Sequence, residues 1–582
     1  MMMEASHRNE TSVTQRGAKT LLDCLLEQGV DTIFGYPGGT ILSVYDELTH
    51  YKDQIKHILT AHEQGASHAA DGYARATGKT GVCFATSGPG CTNLATGIAT
   101  AYLDSTPVVF ITCNVGHSQI GRDGFQEVDI CEVTKPITKA NYQIGYVSDI
   151  PNMVREAFAV AESGRPGPVL IDIIKDVTND LDVYTPLEKK DHTTWVRYAN
   201  HLKRGPRNLE TPKPNARDIR IFHEMIGKAR KPMVICGGGV VLAKAHEAFF
   251  EFATKLDAPV AITTRGAGGF PGKHALATGM IGMHGSLTSN QAIDKCDLLI
   301  AVGCRFSDRV GLNFDTFAQN AQLIHIDIDK SEINKNIRSH HHILGDAKEI
   351  LSRLNEELAY EDHSVWKEEV FKVRRGVSYE QHPHTVTPKA ALRTMINILG
   401  DDIRITTDVG QHQMWTIKHL NFKYSGQLIS SLGFGTMGFG LGAAIGTKVA
   451  FPEETVVHIT GDGSFLMNVN ELITCSKYQI PIITIIFNNQ TLGMVRQWQN
   501  LMFDQNYSES NMERSPDFEL LAQAYHLKGR RATSVEELTA ALKEAKESVK
   551  KGMGYVIDLA IHKDEFVRPM VKAGAHITDF TL

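Results

Sequence analysis

The segment "HITGDGSFLMNVNELITCSKYQIPIITIIFNNQ", residues 458–490, constrains the fold more than any other part of the chain. A β-branched run enters Gly461-Asp462-Gly463, a helical stretch follows over "FLMNVNELITCSKYQ", and Pro481 opens a second apolar run that ends in Asn488-Asn489. Strand, helix and strand in this order place GDG and NN at the C-terminal ends of strands in one sheet, where open α/β sheets bind ligands. The glycines let backbone approach a phosphate closely. Asp462 and Asn489 offer the hard oxygen ligands that suit octahedral Mg²⁺ shared with a diphosphate. Each dipeptide alone is a turn more often than a site, since DG and NN are common turn formers. The ordered pair, spaced by a helix and an X-Pro strand, is what points to a site.

The same grammar recurs near the other end of the chain. "SGPG" leads into a helical stretch over "TNLATGIATAYLDS", then Pro107, then the strand "VVFIT". Gly90 to Pro107 and Gly463 to Pro481 are nearly equal spacings, which suggests two similarly wound domains around a different middle one, although common βα patterning also produces such likeness. Short β-branched runs alternate with helical stretches throughout, so the expected class is α/β, with three doubly wound parallel-sheet domains. The expected organisation is a first domain over 12–180, a polar, proline-punctuated linker over 181–215, a second domain over 216–350 and a charged connector over 351–385. A third domain follows over 386–565, with a tail over 566–582. "GVCFAT", "PVVFIT" and "PVLIDII" are expected strands of the first domain, and "KPMVICGGG", "APVAITT", "DLLIAVG" and "LIHIDID" of the second. "HSVWKEEVFKVRRG" reads as a helix within the connector.

Composition excludes several classes. The 582 residues carry a net charge of -6 with dispersed basic residues, so nucleic acid is not an expected partner. Nine cysteines without CxxC spacing fit reduced thiols in a cytoplasm rather than a disulfide scaffold or zinc ribbon. The longest apolar runs are too short to span a bilayer. "MMMEASHRNETSVTQ" lacks the apolar core of a signal peptide and is not Arg-rich.

A second motif needs explaining. In "TAHEQGASHAADGYARATGKTG", His62-Glu63 looks like the start of HExxH, but the position four after His62 is Ala66, and His68 lies well around the helix, so zinc is not expected. A solvated carboxylate in a first helical turn is the plain alternative for Glu63. Together with GDG and NN, however, this motif resembles the thiamine-diphosphate enzymes. That resemblance implies a pyrimidine-binding first domain, a central domain and a diphosphate-binding third domain. It also implies that Glu63 reaches the cofactor held by a partner subunit. A partly desolvated glutamate sharing a proton with the pyrimidine ring favours the imino tautomer, whose nitrogen removes the thiazolium C2 proton.

Further segments narrow the resemblance to the catalytic subunit of acetohydroxyacid (acetolactate) synthases. They are "GYPGGTILSVYDEL", "SGPGCTNLATGIATAYLDSTPVV", "GFQEVDI", "VTKPITK", "RPGPVLIDIIKDV", "IGMHGS", "GCRFSDRVG", "HIDIDKSEINKN", "GQHQMW", "GTMGFGLGAAIG" and "LGMVRQWQ", in the family's order over nearly the whole chain. The resemblance implies diphosphate contacts from Gly410, Gln411 and His412, further cofactor-binding residues at Gly461, Gly463, Ser464 and Met494, and Mg²⁺ ligands at Asp462, Asn489 and Thr491. It implies that Met437 bends the cofactor into a V, and that Phe125, Gln126 and Lys175 line the substrate approach, with Glu63, Gln126 and Lys175 as the catalytic set. Trp498, with Arg309, matches the second-substrate site that favours 2-oxobutanoate. FAD without a redox role is implied at Arg165, Met283, His284, Gly303, Arg305, Asp308, Arg309, Asp327, Ile328 and Asp346.

The implied reaction decarboxylates pyruvate to an enamine that attacks a second 2-oxo acid, giving 2-acetolactate or 2-aceto-2-hydroxybutanoate for branched-chain amino acids. A homodimer or homotetramer and a regulatory small subunit are implied partners. A catabolic acetolactate synthase or a pyruvate oxidase is the alternative. The chain departs from the family at Gly116, His117 and Ser118 before "GFQE", at Arg265 beside the flavin and at Ser307.

Overall fold

The computed structural model describes residues 12–187, 211–373 and 385–581 of the chain. They form two compact units. The first comprises the described residues within Met1–Glu210 together with Gly433–Pro452 and Asn468–Ile480; the second comprises Thr211–Leu432, Glu453–Met467 and Pro481–Leu582. Much of the expected linker, and the end of the expected connector, lie outside the described residues, as does the start of the N-terminal segment.

In the first unit, strand β1 (Val13–Arg16) pairs antiparallel with β8 (Leu181–Tyr184), so ordered pairing continues into the segment expected as linker. Between them lies a six-stranded parallel sheet of β2 (Thr32–Gly35), β3 (Lys56–Leu59), β4 (Gly81–Ala85), β5 (Val108–Asn114), β6 (Ala140–Ile144) and β7 (Val169–Ile174), in the order β3-β2-β4-β5-β7-β6. Strands β4, β5 and β7 are buried at every position. That is why they read as continuous apolar runs rather than alternating ones: helices cover both faces of a parallel sheet.

The second unit holds two further six-stranded parallel sheets, so the three-sheet α/β expectation is met. One contains β9 (Pro232–Cys236), β10 (Val260–Ile262), β11 (Ala277–Met280), β12 (Leu298–Val302), β13 (Gln322–Asp327) and β14 (His341–Leu344), ordered β11-β10-β9-β12-β13-β14. The other contains β15 (Arg404–Thr407), β16 (Leu428–Ser430), β17 (Val456–Gly461), β18 (Ile483–Asn488), β19 (Lys528–Ala532) and β20 (Tyr555–Ala560), ordered β16-β15-β17-β18-β20-β19. Counted within each sheet, the first and last share the order 2-1-3-4-6-5, whereas the middle sheet runs 3-2-1-4-5-6. The repeat suggested by "SGPG" and "GDG" is therefore a repeat of topology.

Two expected helices are broken. The stretch from Thr92 to Ser105 is not one helix: Pro89–Thr92 ends at Asn93 and Ala95–Leu103 starts anew. The stretch after GDG divides into Asp462–Phe465, a 3₁₀ turn Val469–Glu471 and Leu472–Lys477, because the Asn468 side chain turns to donate to the Gly438 carbonyl, 2.8 Å away. The connector helix appears as Ser364–Lys372, and Ala347–Glu357 runs through residue 350 with Ile350, Leu351 and Leu354 packed in the middle domain's core. In the tail, β21 (Met570–Val571) pairs with β22 (Phe580–Thr581).

Within the first unit the helix Glu63–Thr77 packs on the helix Phe439–Ala450 at backbone range. A β-carbon at Gly72 would lie 2.4 Å from the Ala443 carbonyl, and one at Gly446 would lie 1.9 Å from the Ala69 carbonyl. At one end of the contact, Arg75, its side chain 6% exposed, pairs with Asp71 and donates to Asp104, 3.1 Å away, while its guanidinium sits 5.0 Å over the Phe439 ring. Asp104 in turn accepts from the Gly433 backbone N–H at 2.8 Å. Alanine ordinarily stabilises a helix relative to glycine by about 1 kcal/mol. Gly446→Ala should do the opposite, destabilising by about 1–3 kcal/mol through overpacking, seen as a lowered denaturation midpoint.

Candidate active site

In the last sheet the strand order reverses between β15 and β17, and the loops leaving these two strands carry Gly410-Gln411-His412 and Asp462-Gly463-Ser464. A reversal of this kind opens a crevice at the strand ends. Gly410 is the N-cap of the helix Gln411–His419 and lends it no side-chain cap; the Gln413 N–H donates to the Gly410 carbonyl at 3.2 Å, and the helix N-terminus suits an anion. The His412 ring is buried between Gly410 and Gly461; its Nε2 has no partner, and burial pushes the imidazole down to about 4, so it is neutral at pH 7. Gln411 Nε2 donates to Gln497 Oε1 at 2.9 Å, and Gln411 Oε1 accepts from Asn489 Nδ2 at 3.3 Å. The GQH and NN loops are thus joined by side chains.

Asp462 is almost wholly buried. Burial pushes its carboxyl up to about 7, against backbone N–H groups of the GDG turn and of Gln490 that hold it down. Its Oδ2 and the Thr491 Oγ1 are buried without any hydrogen-bond partner, and Asn489 Oδ1 accepts from the Thr491 N–H at 3.2 Å. Buried oxygens without partners are costly. Two of them, on a loop pair bearing a third oxygen donor, make a donor set of the all-oxygen kind that Mg²⁺ takes. Residues Asp462, Asn489 and Thr491 therefore fit the metal expected of them. Ser464 is buried beside Asp462, and Met494 packs against the core of this domain.

The middle sheet reverses between β9 and β12, the order of a dinucleotide-binding fold. Here the Gly237–Gly239 turn and Gly303 meet backbone to backbone: Gly303 has φ 59°, and a β-carbon on it would lie 2.3 Å from the Gly239 Cα. The candidate flavin residues leave the C-terminal ends of this sheet's strands: Met283 and His284 after β11, Gly303, Arg305, Asp308 and Arg309 after β12, Asp327 and Ile328 at β13, and Asp346 after β14. Buried His284 has an unpartnered Nδ1 and is pushed down to about 3 by burial. This glycine cradle and the orphaned nitrogen fit a nucleotide cofactor. Two residues are already engaged: Asp346 caps the helix Ala347–Glu357 through the Lys348 and Glu349 N–H groups, and Asp327 Oδ1 accepts from the Asp329 N–H. The unusual Arg265 lies across the turn, its Cγ where a β-carbon on Gly238 would fall. Arg309 is brought to Trp498, its guanidinium 5.7 Å from the indole, and donates toward Met283 Sδ at 3.2 Å.

In the first unit Glu63 is the first residue of its helix and is buried. His62 is the N-cap, its Nδ1 accepting from the Gln64 N–H at 3.0 Å, so this histidine is structural. Glu63 Oε2 accepts from Asn93 Nδ2 at 2.9 Å. Asn93 is the residue at which the expected helix breaks, and it was not legible as a site residue because only the fold brings it to Glu63. Gln126 has φ 63°, rare for a residue with a side chain, and its β-carbon abuts Gly88 of the "SGPG" turn. Phe125 beside it is 86% exposed, an unusual state for an aromatic ring. Lys175 is exposed at the end of β7; its neighbour Asp176 accepts from the His117 N–H at 2.7 Å, tying down the loop before "GFQE". Arg165 donates to Ser105 Oγ at 2.7 Å, and Met437 is half-buried before the helix Phe439–Ala450.

Two nucleotide-type crevices and a buried glutamate beside a glycine turn define a cofactor-dependent enzyme of the thiamine pyrophosphate class. Family models match in the same order: "Thiamine pyrophosphate enzyme, N-terminal TPP binding domain" over 15–133, the central domain over 219–354 and the C-terminal TPP binding domain over 408–558. Among curated proteins, the chain is 43% identical over 580 residues to the "Probable acetolactate synthase large subunit" of Methanocaldococcus jannaschii, covering 97% of this chain and 95% of that one. It is 43% identical over 562 residues to the acetolactate synthase isozyme 2 large subunit of Escherichia coli, covering 96% and 98%. It is 39% identical over 575 residues to the isozyme 3 large subunit, covering 97% and 98%. The chain belongs to the acetolactate synthase large-subunit family of thiamine-diphosphate enzymes.

Loss of an outer-shell partner typically costs a metal site about 10–100-fold in affinity. Asp462→Ala, which removes a candidate oxygen donor, should weaken Mg²⁺-dependent binding of thiamine diphosphate by more than that, read by quenching of intrinsic fluorescence.

Proposed function

We propose that this chain decarboxylates pyruvate and joins the remaining two-carbon unit to the ketone of a second 2-oxo acid, pyruvate or 2-oxobutanoate. The products are 2-acetolactate and 2-aceto-2-hydroxybutanoate, early intermediates toward branched-chain amino acids. The observation that carries this reading is the pair of unpartnered buried oxygens, Asp462 Oδ2 and Thr491 Oγ1, at the reversal of a parallel sheet. Thiamine diphosphate, when bound, supplies the carbon nucleophile and the electron sink.

The residues of this chain supply the rest. Asp462, Asn489 and Thr491 hold Mg²⁺. The N–H groups that open the Gln411–His419 helix, with neutral His412, receive the diphosphate. Glu63, with one oxygen fixed by Asn93, shares a proton with a ring nitrogen of the aminopyrimidine. Phe125, Gln126 and Lys175 line the substrate approach. Arg309 offers its fork of donors to the second substrate's carboxylate, and the Trp498 indole packs on its alkyl group. The glycine cradle of the middle sheet takes the nucleotide of FAD, which serves structure rather than electron transfer. By the family reading the active assembly is at least a homodimer, with Glu63 serving a cofactor bound by a second copy, and a regulatory small subunit is a further partner. None of the described helices is long and apolar enough to cross a membrane, and nine free cysteines fit a reducing cytoplasm.

The direct test is conversion of pyruvate to acetolactate by the purified protein with thiamine diphosphate and Mg²⁺, with and without FAD. Acetolactate formed without net flavin reduction supports the reading; flavin turnover as a redox centre would favour an oxidase. Glu63→Gln should slow C2 proton exchange of bound thiamine diphosphate by about 10²–10⁴-fold, the usual contribution of a positioned acid–base group. Undiminished exchange removes the proposed role. Trp498→Leu should lower preference for 2-oxobutanoate over pyruvate by roughly ten-fold, as expected for one lost alkyl contact, measured as the product ratio with both substrates present.

A further inference from the structure

One buried carboxylate has no part in the chemistry above. Glu471 ends the 3₁₀ turn Val469–Glu471, and its side chain is inaccessible to solvent. It is aimed at the start of the Glu63–Thr77 helix. Its two oxygens accept from the Ala61 N–H at 3.2 and 3.1 Å, Oε1 also accepts from the His62 N–H at 3.1 Å, and the Thr474 hydroxyl donates to Oε2 at 2.7 Å. The fourth contact is steric. A β-carbon on Gly65 would lie 2.0 Å from Glu471 Oε1, so the carboxylate rests against the Gly65 backbone and only glycine leaves room for it. Residues 61, 62 and 65 therefore grip one carboxylate, and Glu63 projects from the middle of that grip.

The physical need is clear. N–H groups preceding and opening a helix have no intrahelical partner, and here they are partly buried. A negative group at a helix N-terminus also suits its dipole. Glu63, as the first helical residue, takes its position from this backbone, whose Ala61 and His62 N–H groups are held by Glu471 while the Thr60 hydroxyl donates to the His62 carbonyl at 3.0 Å. Asn93 holds only the far end of the Glu63 side chain.

We propose that Glu471 is a positioning residue for Glu63: its carboxylate fixes the Ala61–His62 backbone and so sets where the Glu63 carboxylate meets its proton partner. The proposal rests on the reading of Glu63 given above. It assigns Glu471 no contact with substrate or cofactor. Misplacement of a catalytic group by about 1 Å can cost about a hundred-fold in rate, so the effect should fall on proton exchange rather than on cofactor affinity.

The test measures C2 proton exchange of bound thiamine diphosphate in Glu63→Gln, Glu471→Ala and Glu471→Gln holoenzymes, alongside cofactor affinity and melting temperature. Glu471→Ala should lose about 10–100-fold in exchange with cofactor affinity held. Glu471→Gln, whose amide oxygen still accepts an N–H, should recover most of that loss. Should the alanine variant fail to fold, Glu471→Asp, which withdraws the carboxylate by one methylene, takes its place with the same expected loss. Exchange within about two-fold of the parent in the Ala or Asp variant, or a loss that follows melting temperature equally in Ala and Gln, overturns the proposal. If Glu63→Gln loses exchange while Glu471→Ala does not, only the role of Glu471 falls. If Glu63→Gln keeps full exchange, the reading of Glu63 falls first and this proposal with it.

Discussion

A buried carboxylate with one oxygen lacking any hydrogen-bond donor is a costly thing to fold around, and Asp462, through its Oδ2, is such a group. The sheet topology makes it unavoidable. Strand β17 is central, its neighbours β15 and β18 cover both edges, and the GDG turn can only emerge into the crevice between the loops that leave them. The Gln490 N–H and the turn's own amides offset part of the cost, leaving the carboxyl raised to about 7. In the function proposed above, a divalent cation would offset the remainder, so the geometry that strains the isolated chain would also favour a metal and its diphosphate.

In the function proposed above, the first unit answers a different need, that of holding an acid–base group still. Glu63 stands at a helix end, where chain is ordinarily loose. The helix behind it is locked by glycine–alanine packing on Phe439–Ala450 and by the buried Arg75, Asp71 and Asp104 cluster. The end itself is closed by the His62 cap, the Asn93 amide and the Glu471 carboxylate. Segments distant in sequence thus converge on one side chain, two of them from the last third of the chain.

What could be read from the sequence follows from this. Central strands such as "VLIDII" and "ITIIF" are buried on both faces, and their apolar runs are visible without a structure. The edge strands Ala140–Ile144, His341–Leu344 and Lys528–Ala532 are polar and partly exposed, so hydrophobicity does not announce them. The GDG and NN turns were legible as loops at strand ends because turn residues at that spacing close two buried apolar runs. The broken helices at Asn93 and Asn468 were not, since each breaks to satisfy a tertiary hydrogen bond, to Glu63 in one case and to the Gly438 carbonyl in the other. Asn93 and Glu471 carry no motif of their own; their importance lies in what the fold sets beside them. The matching strand orders of the first and last sheets turn an ambiguous likeness of spacing into a repeat of architecture.

The central claim is that the Asp462, Asn489 and Thr491 oxygens bind a divalent cation together with the cofactor's diphosphate. Calorimetric titration of the protein with thiamine diphosphate, in Mg²⁺ and again in excess chelator, tests it most directly. Saturable binding in Mg²⁺ that is lost in chelator is the predicted result; binding of equal strength in both would contradict the account.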